Sequence, residues 1–509
     1  MDKLESKYIL AIDIGTTAFK AAIVDENGSV LSSRTCEYTI ITPHAGWAEM
    51  DVNVYVETFR TAAASVIEEA GISADDILTI GMSSQGETTI FLDKEGRPLR
   101  RAIVWFDTRS AKEAQVIVDT FGAKRIQQHT GQVGVDAIWP GAKILWLREN
   151  EPEVYQRLGK IVQLKGYLCY LLTGSMACED SILGSSMYWD INTRKYWPEM
   201  LELLGISEEQ LPDIVQPGAD MGHVTGEAAI RFGLSTNTTV NIGAIDLACG
   251  AIGVGNVRPG IFSDSTGSAL CTVAMSDHIV LDPQMQMPCY CSAIPGKYMI
   301  HAYSTGGMFM RWFRDVFCDL EMEIQKSTGM NAYDQLDVMA ETIPVGCDGL
   351  LALPHLQGAG PPDQNASAKA VFYGLTIAHS KPHFVRAIME SVTMVLCRII
   401  EATEALDVNI DSIITYGGGA KSKIWTQMKA DATGLPVQTT VNDENATCLG
   451  AAILAGAACG VWDSIEAAAD SIVTNDICYQ PDPAVYQDYR STLDNYNRLM
   501  ESLKPMFRG

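Results

Sequence analysis

Any fold for this chain must first accommodate three short apolar segments at its start, separated by tight turns. Tyr8 to Ile12 reads as a strand, Asp13-Ile-Gly-Thr-Thr17 as a turn and Phe19 to Val24 as a second strand; Asp25-Glu-Asn-Gly28 turns again before Ser29-Val-Leu31. Apolar runs of this length, broken by Gly, Asn and Asp, predict successive antiparallel hairpins. A helix follows. Asp51 can cap it, the stripe Tyr55-Val-Glu-Thr-Phe59 continues toward Glu69, and Gly71 supplies a stop. With Ile77 to Met82 as the next strand, the order βββαβ predicts an α/β domain.

The pattern of strand, small-residue turn and strand recurs at Gly260 to Val273. A long apolar-striped helix over Phe384 to Leu406, a strand over Ser412 to Tyr416 and the turn Gly417-Gly-Gly419 follow later. Residue identities differ between the halves, so the repeat is one of architecture. A length of 509 residues exceeds what one core usually organises. Gly and Pro accumulate from Gly253 to Pro259, dividing the chain into 1–252 and 253–509 with a cleft between them.

Composition excludes some partners. Hydrophobic residues make up 47% and charged residues 19%, as in an ordered globular protein, and the net charge is −25. That charge opposes general affinity for nucleic acid or an anionic membrane, although clustered backbone N–H groups can still hold phosphate. The start, MDKLESKYILAIDIG, lacks the features of a signal peptide, and no apolar run is long enough for a membrane span, so a cytoplasmic location is expected. The thirteen cysteines are dispersed; the close pair Cys289 and Cys291 reads as buried thiols, and no structural zinc is expected.

Three segments carry chemistry. Asp13-Ile-Gly-Thr-Thr17 sets a carboxylate beside hydroxyls and free N–H groups, which suits phosphate and a Mg²⁺ ion, with Lys20 nearby in sequence. Ser265-Thr-Gly-Ser268 is a second hydroxyl-rich turn, and Gly417-Gly-Gly-Ala420 would let a planar base or ribose approach the backbone. Each also reads as an ordinary turn. Their order is the informative feature: acidic hairpin, second hairpin, glycine-rich turn.

In this order the chain resembles the FGGY family of carbohydrate kinases, whose fold is shared with actin and hexokinase. The resemblance rests on Ala11-Ile-Asp-Ile-Gly-Thr-Thr17, Ala102-Ile-Val-Trp-Phe-Asp-Thr-Arg109, Trp139-Pro-Gly-Ala-Lys-Ile-Leu-Trp-Leu147 and Gly243-Ala-Ile-Asp-Leu-Ala-Cys-Gly-Ala-Ile-Gly253. It continues through Phe372-Tyr-Gly-Leu375, His383 to Glu390, Gly417-Gly-Gly-Ala-Lys-Ser422 and Leu449 to Gly456. It implies two ribonuclease H-like α/β domains with a catalytic cleft between them, ATP and Mg²⁺ as cofactors, and a small sugar or polyol as partner. A homodimer is compatible with it.

The resemblance also implies roles. Asp246 would be the general base and Asp13 would help place Mg²⁺, with Gly15, Thr16 and Thr17 facing the terminal phosphates. Gly267 and Ser268 match the second phosphate turn, Gly307 and Arg311 flank the nucleotide, and Gly418, Gly419 and Lys423 match the adenosine pocket. The bland alternative for Asp246 is a buried carboxylate capping a helix that starts at Leu247.

The acceptor side fits no one subgroup. Gln85, Gly86 and Glu87 resemble the substrate loop of glycerol kinases, with Trp105 as an apolar wall. Gly86, Ile138 and Leu247, however, replace three polar contacts of that pattern, and the small Gly86 is expected to leave room for a longer molecule. Gly46-Trp-Ala-Glu-Met-Asp51 and Ala430-Asp-Ala-Thr-Gly-Leu-Pro436 lean toward xylulokinases, although Gln85-Gly-Glu87 and Pro354 to Pro361 depart from them. The expectation is therefore a kinase of a ketopentose such as xylulose, with glycerol or another polyol next. A sugar-sensing pseudokinase and an actin-like ATPase are the other classes.

Overall fold

The computed structural model describes residues 8–441 and 443–507; the part of the N-terminal reading that concerns residues 1–7 lies outside them. The opening hairpins are β1 (Tyr8–Ile14), β2 (Ala18–Val24) and β3 (Val30–Glu37), paired antiparallel in series. Helix α1 (Val52–Ala70) returns the chain to β4 (Ile77–Ser84), which lies parallel to β1. The carboxylate of Asp51 accepts from Asn53 N at 2.9 Å, and Gly71 closes the helix at φ 67°. Tyr55, Val56, Phe59, Ala62, Ala63 and Val66 repeat at helical spacing and are buried. Strands β5 (Asp220–His223) and β6 (Thr239–Ile245) complete a six-stranded sheet in the order β5-β6-β4-β1-β2-β3.

Helix α2 (Asp246–Gly253) leaves the end of β6 and leads into the second sheet. That sheet is built from β7 (Gly260–Thr266), β8 (Ala269–Ser276), β9 (Cys289–Cys291), β10 (Tyr298–Thr305), β11 (Ile410–Tyr416), β12 (Val437–Thr440) and β13 (Asn475–Tyr479). Its order, β9-β10-β8-β7-β11-β12-β13, repeats the first sheet: three antiparallel strands in series, two parallel neighbours, one antiparallel edge. Strand β9 is an addition at one edge, where Cys289 and Cys291 are buried as free thiols.

The long helix runs Lys381–Glu404, not from Phe384, and β11 starts at Ile410, not Ser412. The helix gains a turn because Ser380 and His383 cap it reciprocally and Pro382 sits in its first turn. No helix among the described residues is long and apolar enough to cross a membrane.

The division near residue 253 is less clean in space than along the chain. Helix α4 (Ala446–Ala458), here numbered after α3 (Lys381–Glu404), packs against α2 and also against β1 and β4 of the first sheet. Backbones touch at these crossings. A Cβ on Gly450 would lie 1.8 Å from Cys249 O, one on Gly253 1.8 Å from Ala446 O, and one on Gly81 2.3 Å from Ala451 O. Gly450→Ala is therefore expected to force α2 and α4 apart at a cost of about 1–3 kcal/mol, read as a lower Tm. Gly226→Ala, a first-turn helical position with nothing within 4 Å, serves as the control and should melt no lower than the parent. Equal melting of both variants would show that the crossing tolerates separation.

Candidate active site

Asp13 is the penultimate residue of β1, opposite Lys20 in the hairpin and beside Ser83 of β4. Its carboxylate accepts from Ser83 Oγ at 2.8 Å and from Thr447 Oγ1 at 2.9 Å. Thr447 belongs to α4, so the second half of the chain completes the surroundings of a residue in the first. Burial pushes the Asp13 pKa up, and the two hydroxyls and Lys20 oppose it. The Lys20 ammonium itself donates to the carbonyl of Glu444. A half-buried carboxylate whose direct partners are neutral hydroxyls has the hard-oxygen chemistry that Mg²⁺ takes. The adjoining turn is held from two sides: Gly15 O accepts from Gln85 Nε2 at 3.0 Å and from the Tyr38 hydroxyl, and Thr16 Oγ1 accepts from Trp105 Nε1 at 2.8 Å.

Asp246 is the first residue of α2, not a cap on a helix beginning at Leu247; Ile245 occupies the cap position. One carboxylate oxygen accepts from Leu247 N at 2.7 Å. Burial, followed by the charges of Asp13 and Glu87, pushes its pKa up to about 8, against the opposing pull of Leu247 N–H and Lys165. The main chain at this point is moored from beneath. Ile245 N donates to Ser181 Oγ at 3.1 Å, and Ser181 Oγ donates to Glu179 Oε1 at 2.9 Å. Glu179 in turn pairs with Lys165, both fully buried.

Of the residues expected on the acceptor side, Gln85 spends its amide on the protein: Nε2 reaches Gly15 O, and Oε1 accepts from Thr88 Oγ1 at 3.2 Å. Gly86 does not leave the room expected of it. A Cβ there would lie 2.9 Å from Ile245 Cδ1, so the isoleucine before Asp246 fills the space that a glycine opens. Glu87 adopts φ 56°, the left-handed region rare for a residue with a side chain. Burial raises its pKa, and the Ser185 hydroxyl and Lys143 oppose the rise. Lys143 is fully buried and donates to three carbonyls: Glu87 O at 3.0 Å, Val104 O at 3.1 Å and Trp105 O at 3.2 Å.

A cavity of about 540 Å³ opens on the second half, a volume usual for a small-molecule site. Gly267, Ser268, Gly307, Arg311, Gly418 and Gly419 all line it. Two of these glycines are required by space: a Cβ on Gly307 would lie 2.7 Å from Gly267 O, and one on Gly419 2.6 Å from Thr266 Cγ2. Beneath the second turn, buried Lys429 donates to Asp264 Oδ1, Thr266 Oγ1 and Thr415 Oγ1, each at 2.7 Å. Lys423 is the departure from the sequence reading. Ser422 caps the helix that Lys423 begins, and the first helical residue turns away to line a separate depression with Glu341 and Arg386. Lys421 and Ser422 face the cavity instead.

Sequence reasoning missed Thr447, Lys429 and the series Lys165, Glu179 and Ser181. For Lys143 a signal existed: a lone cation in the otherwise uncharged run Trp139-Pro-Gly-Ala-Lys-Ile-Leu-Trp-Leu147.

Comparison with known proteins agrees with this geometry. The model of the FGGY family of carbohydrate kinases, N-terminal domain, matches residues 8–253, and that of the C-terminal domain matches residues 265–459. A xylulose kinase of Bacillus subtilis is 29% identical, with 98% of each chain covered. An autoinducer-2 kinase of Yersinia enterocolitica is also 29% identical, over 94% of this chain and 92% of its own. The crystal structure of a gluconate kinase from Lactobacillus acidophilus superposes with TM-score 0.90 at 26% identity, covering 98% of both chains.

The raised pKa of Asp246 makes a signed expectation for stability. Between the unfolded value near 3.8 and the folded value of about 8, the folded protein holds a proton that the unfolded chain has lost. Stability contributed by this site therefore falls as pH rises through that window. Asp246→Asn, which cannot ionise, should gain Tm relative to the parent as pH rises from 5 to 8 in ligand-free protein. A constant difference across that range would mean that Asp246 titrates normally.

Proposed function

The chain belongs to the FGGY family of carbohydrate kinases, and from that premise we propose that it transfers the γ-phosphate of ATP to a hydroxyl of a small uncharged sugar, a ketopentose such as xylulose first. The carrying observation is electrostatic. Asp246 is near enough to Asp13 and Glu87 for their charges to raise its pKa, so the acceptor side is lined by carboxyl groups. The two buried lysines that act on these carboxylates are already committed, Lys165 to Glu179 and Lys143 to three carbonyls. A sugar acid such as gluconate would meet carboxyl groups there with neither buried lysine free to pair with it, whereas a neutral polyol or keto sugar needs no such partner. The glycerol alternative has less support, since Gly86, Ile138 and Leu247 lack its polar contacts.

In this reading the nucleotide occupies the cavity lined by Gly267, Ser268, Gly307, Arg311, Gly418 and Gly419, and its terminal phosphates face Gly15, Thr16 and Thr17. Asp13 would hold Mg²⁺, which supplies charge neutralisation at the phosphates. Asp246 accepts the proton of the attacking hydroxyl, and the mooring through Ser181 keeps its main chain still while it does so. Glu87 accepts from sugar hydroxyls and Trp105 covers an apolar face. Positioning and charge neutralisation dominate catalysis of this type, and the base adds to them. ATP as donor fits the cytoplasmic location expected from the sequence.

ADP release across xylulose, ribulose, fructose, glycerol and gluconate tests the proposal. A ketopentose should give the highest kcat/KM, and gluconate should fall below it. Gluconate as the best substrate would overturn the charge reading. ADP release without any sugar would favour the actin-like ATPase, and tight sugar binding without ADP the pseudokinase. Asp246→Asn should lower kcat by about 10²–10⁴ with little change in either KM.

A further inference from the structure

We propose, on the reading that the segments around Glu87 and Trp105 face the acceptor, that Lys143 is the positioning residue that fixes these two segments to each other and so sets acceptor affinity. Its ammonium has three donors and meets three acceptors, Glu87 O, Val104 O and Trp105 O, at 3.0, 3.1 and 3.2 Å. All three are backbone carbonyls, so the cation grips the course of the chain and not a particular side chain. It reaches them from the helix Pro140–Asn150, a rigid element outside both segments.

The left-handed backbone of Glu87 gives this grip its consequence. At φ 56° the residue departs from what a side-chain-bearing residue prefers, and its carbonyl is held by Lys143. Thr88 supplies a second tie, accepting from Trp105 N at 3.0 Å and donating to Gln85 Oε1 at 3.2 Å. Thr88 can keep the segments near each other; it has no donor for the three carbonyls. Arg109, the neighbouring cation, cannot replace Lys143, because it is paired with Asp107 and Glu49 and stacked on Trp47 at 3.7 Å. Desolvation pushes the Lys143 pKa down to about 7, and the charges of Glu87 and Asp107 oppose that fall and favour the ammonium form.

Steady-state kinetics and hydrogen–deuterium exchange on the full chain test this. Lys143→Met removes every donor, and Lys143→Gln keeps two. The acceptor KM should rise by about tenfold or more in Lys143→Met and by an intermediate factor in Lys143→Gln, with the KM for MgATP within about twofold of the parent. Exchange should quicken over residues 85–89 and 103–106 and stay unchanged over 381–404. Equal rises in both KM values, or unchanged exchange over the two segments, would overturn the proposal. If the parent phosphorylates no sugar in the panel, the substrate reading fails, and the exchange measurement still decides whether Lys143 ties the segments. Should Lys143→Met not fold, Lys143→Gln carries both measurements.

Discussion

Everything chemical in this molecule hangs on the crossing of α2 and α4. Both helices are short of side chains where they meet, and Gly253 and Gly450 bring backbone onto backbone. The first residue of α2 is Asp246, and the second residue of α4 is Thr447, whose hydroxyl reaches Asp13. A bulkier contact would shift Asp246, the proposed base, and Asp13, the proposed cation-holding carboxylate, relative to each other, because each is fixed to one partner of the crossing. Tight packing of this kind transmits displacement, since close-packed interiors have little slack to absorb it. The glycines therefore matter for where the carboxylates stand as well as for stability.

Three half-buried carboxylates gathered in one region oppose folding, and the surroundings show how that opposition is limited. Asp13 has two hydroxyls, Glu87 has Ser185 and the Lys143 charge, and Asp246 has one backbone N–H with Lys165 behind it. None of the three is directly ion-paired in the described residues, whereas the structural carboxylates Glu179 and Asp264 each hold a buried lysine. Full pairing would satisfy the site and leave it inert. Partial compensation leaves Asp246 near neutral pH, where a carboxylate can still take a proton from a hydroxyl.

The sequence disclosed the chain's strand and turn order well because that order is local. Apolar runs, turn residues and an N-capping Asp51 act within a few positions, and each produced the element expected of it. The start of the long helix was misplaced by three residues because a histidine, His383, completes the cap. Contacts across hundreds of residues were not legible. Ile245 filling the space at Gly86, and Thr447 reaching Asp13, depend on how strands and helices stack and leave no mark on spacing. Lys423 went astray for a rotational reason: on a helix one residue is about 100° of turn, so a glycine-rich motif specifies a pocket without specifying which neighbour faces it.

In the proposed reading, the single hydrogen bond from Trp105 Nε1 to Thr16 Oγ1 joins the acceptor wall to the first phosphate turn. Gln85 adds a second link, from the acceptor segment to Gly15 O. A sugar pressing on Trp105 would thus bear on the same turn that faces the terminal phosphates, with no intermediate element to damp the effect. In a kinase the competing nucleophile is water, which is smaller than any sugar and always present. An acceptor wall bonded directly to the phosphate turn gives the larger molecule an advantage that water lacks: only a ligand big enough to load Trp105 can act on the turn. Selectivity for sugar over water would then arise from connectivity, and Lys143, by holding Trp105 to Glu87, keeps that connection stiff enough to matter.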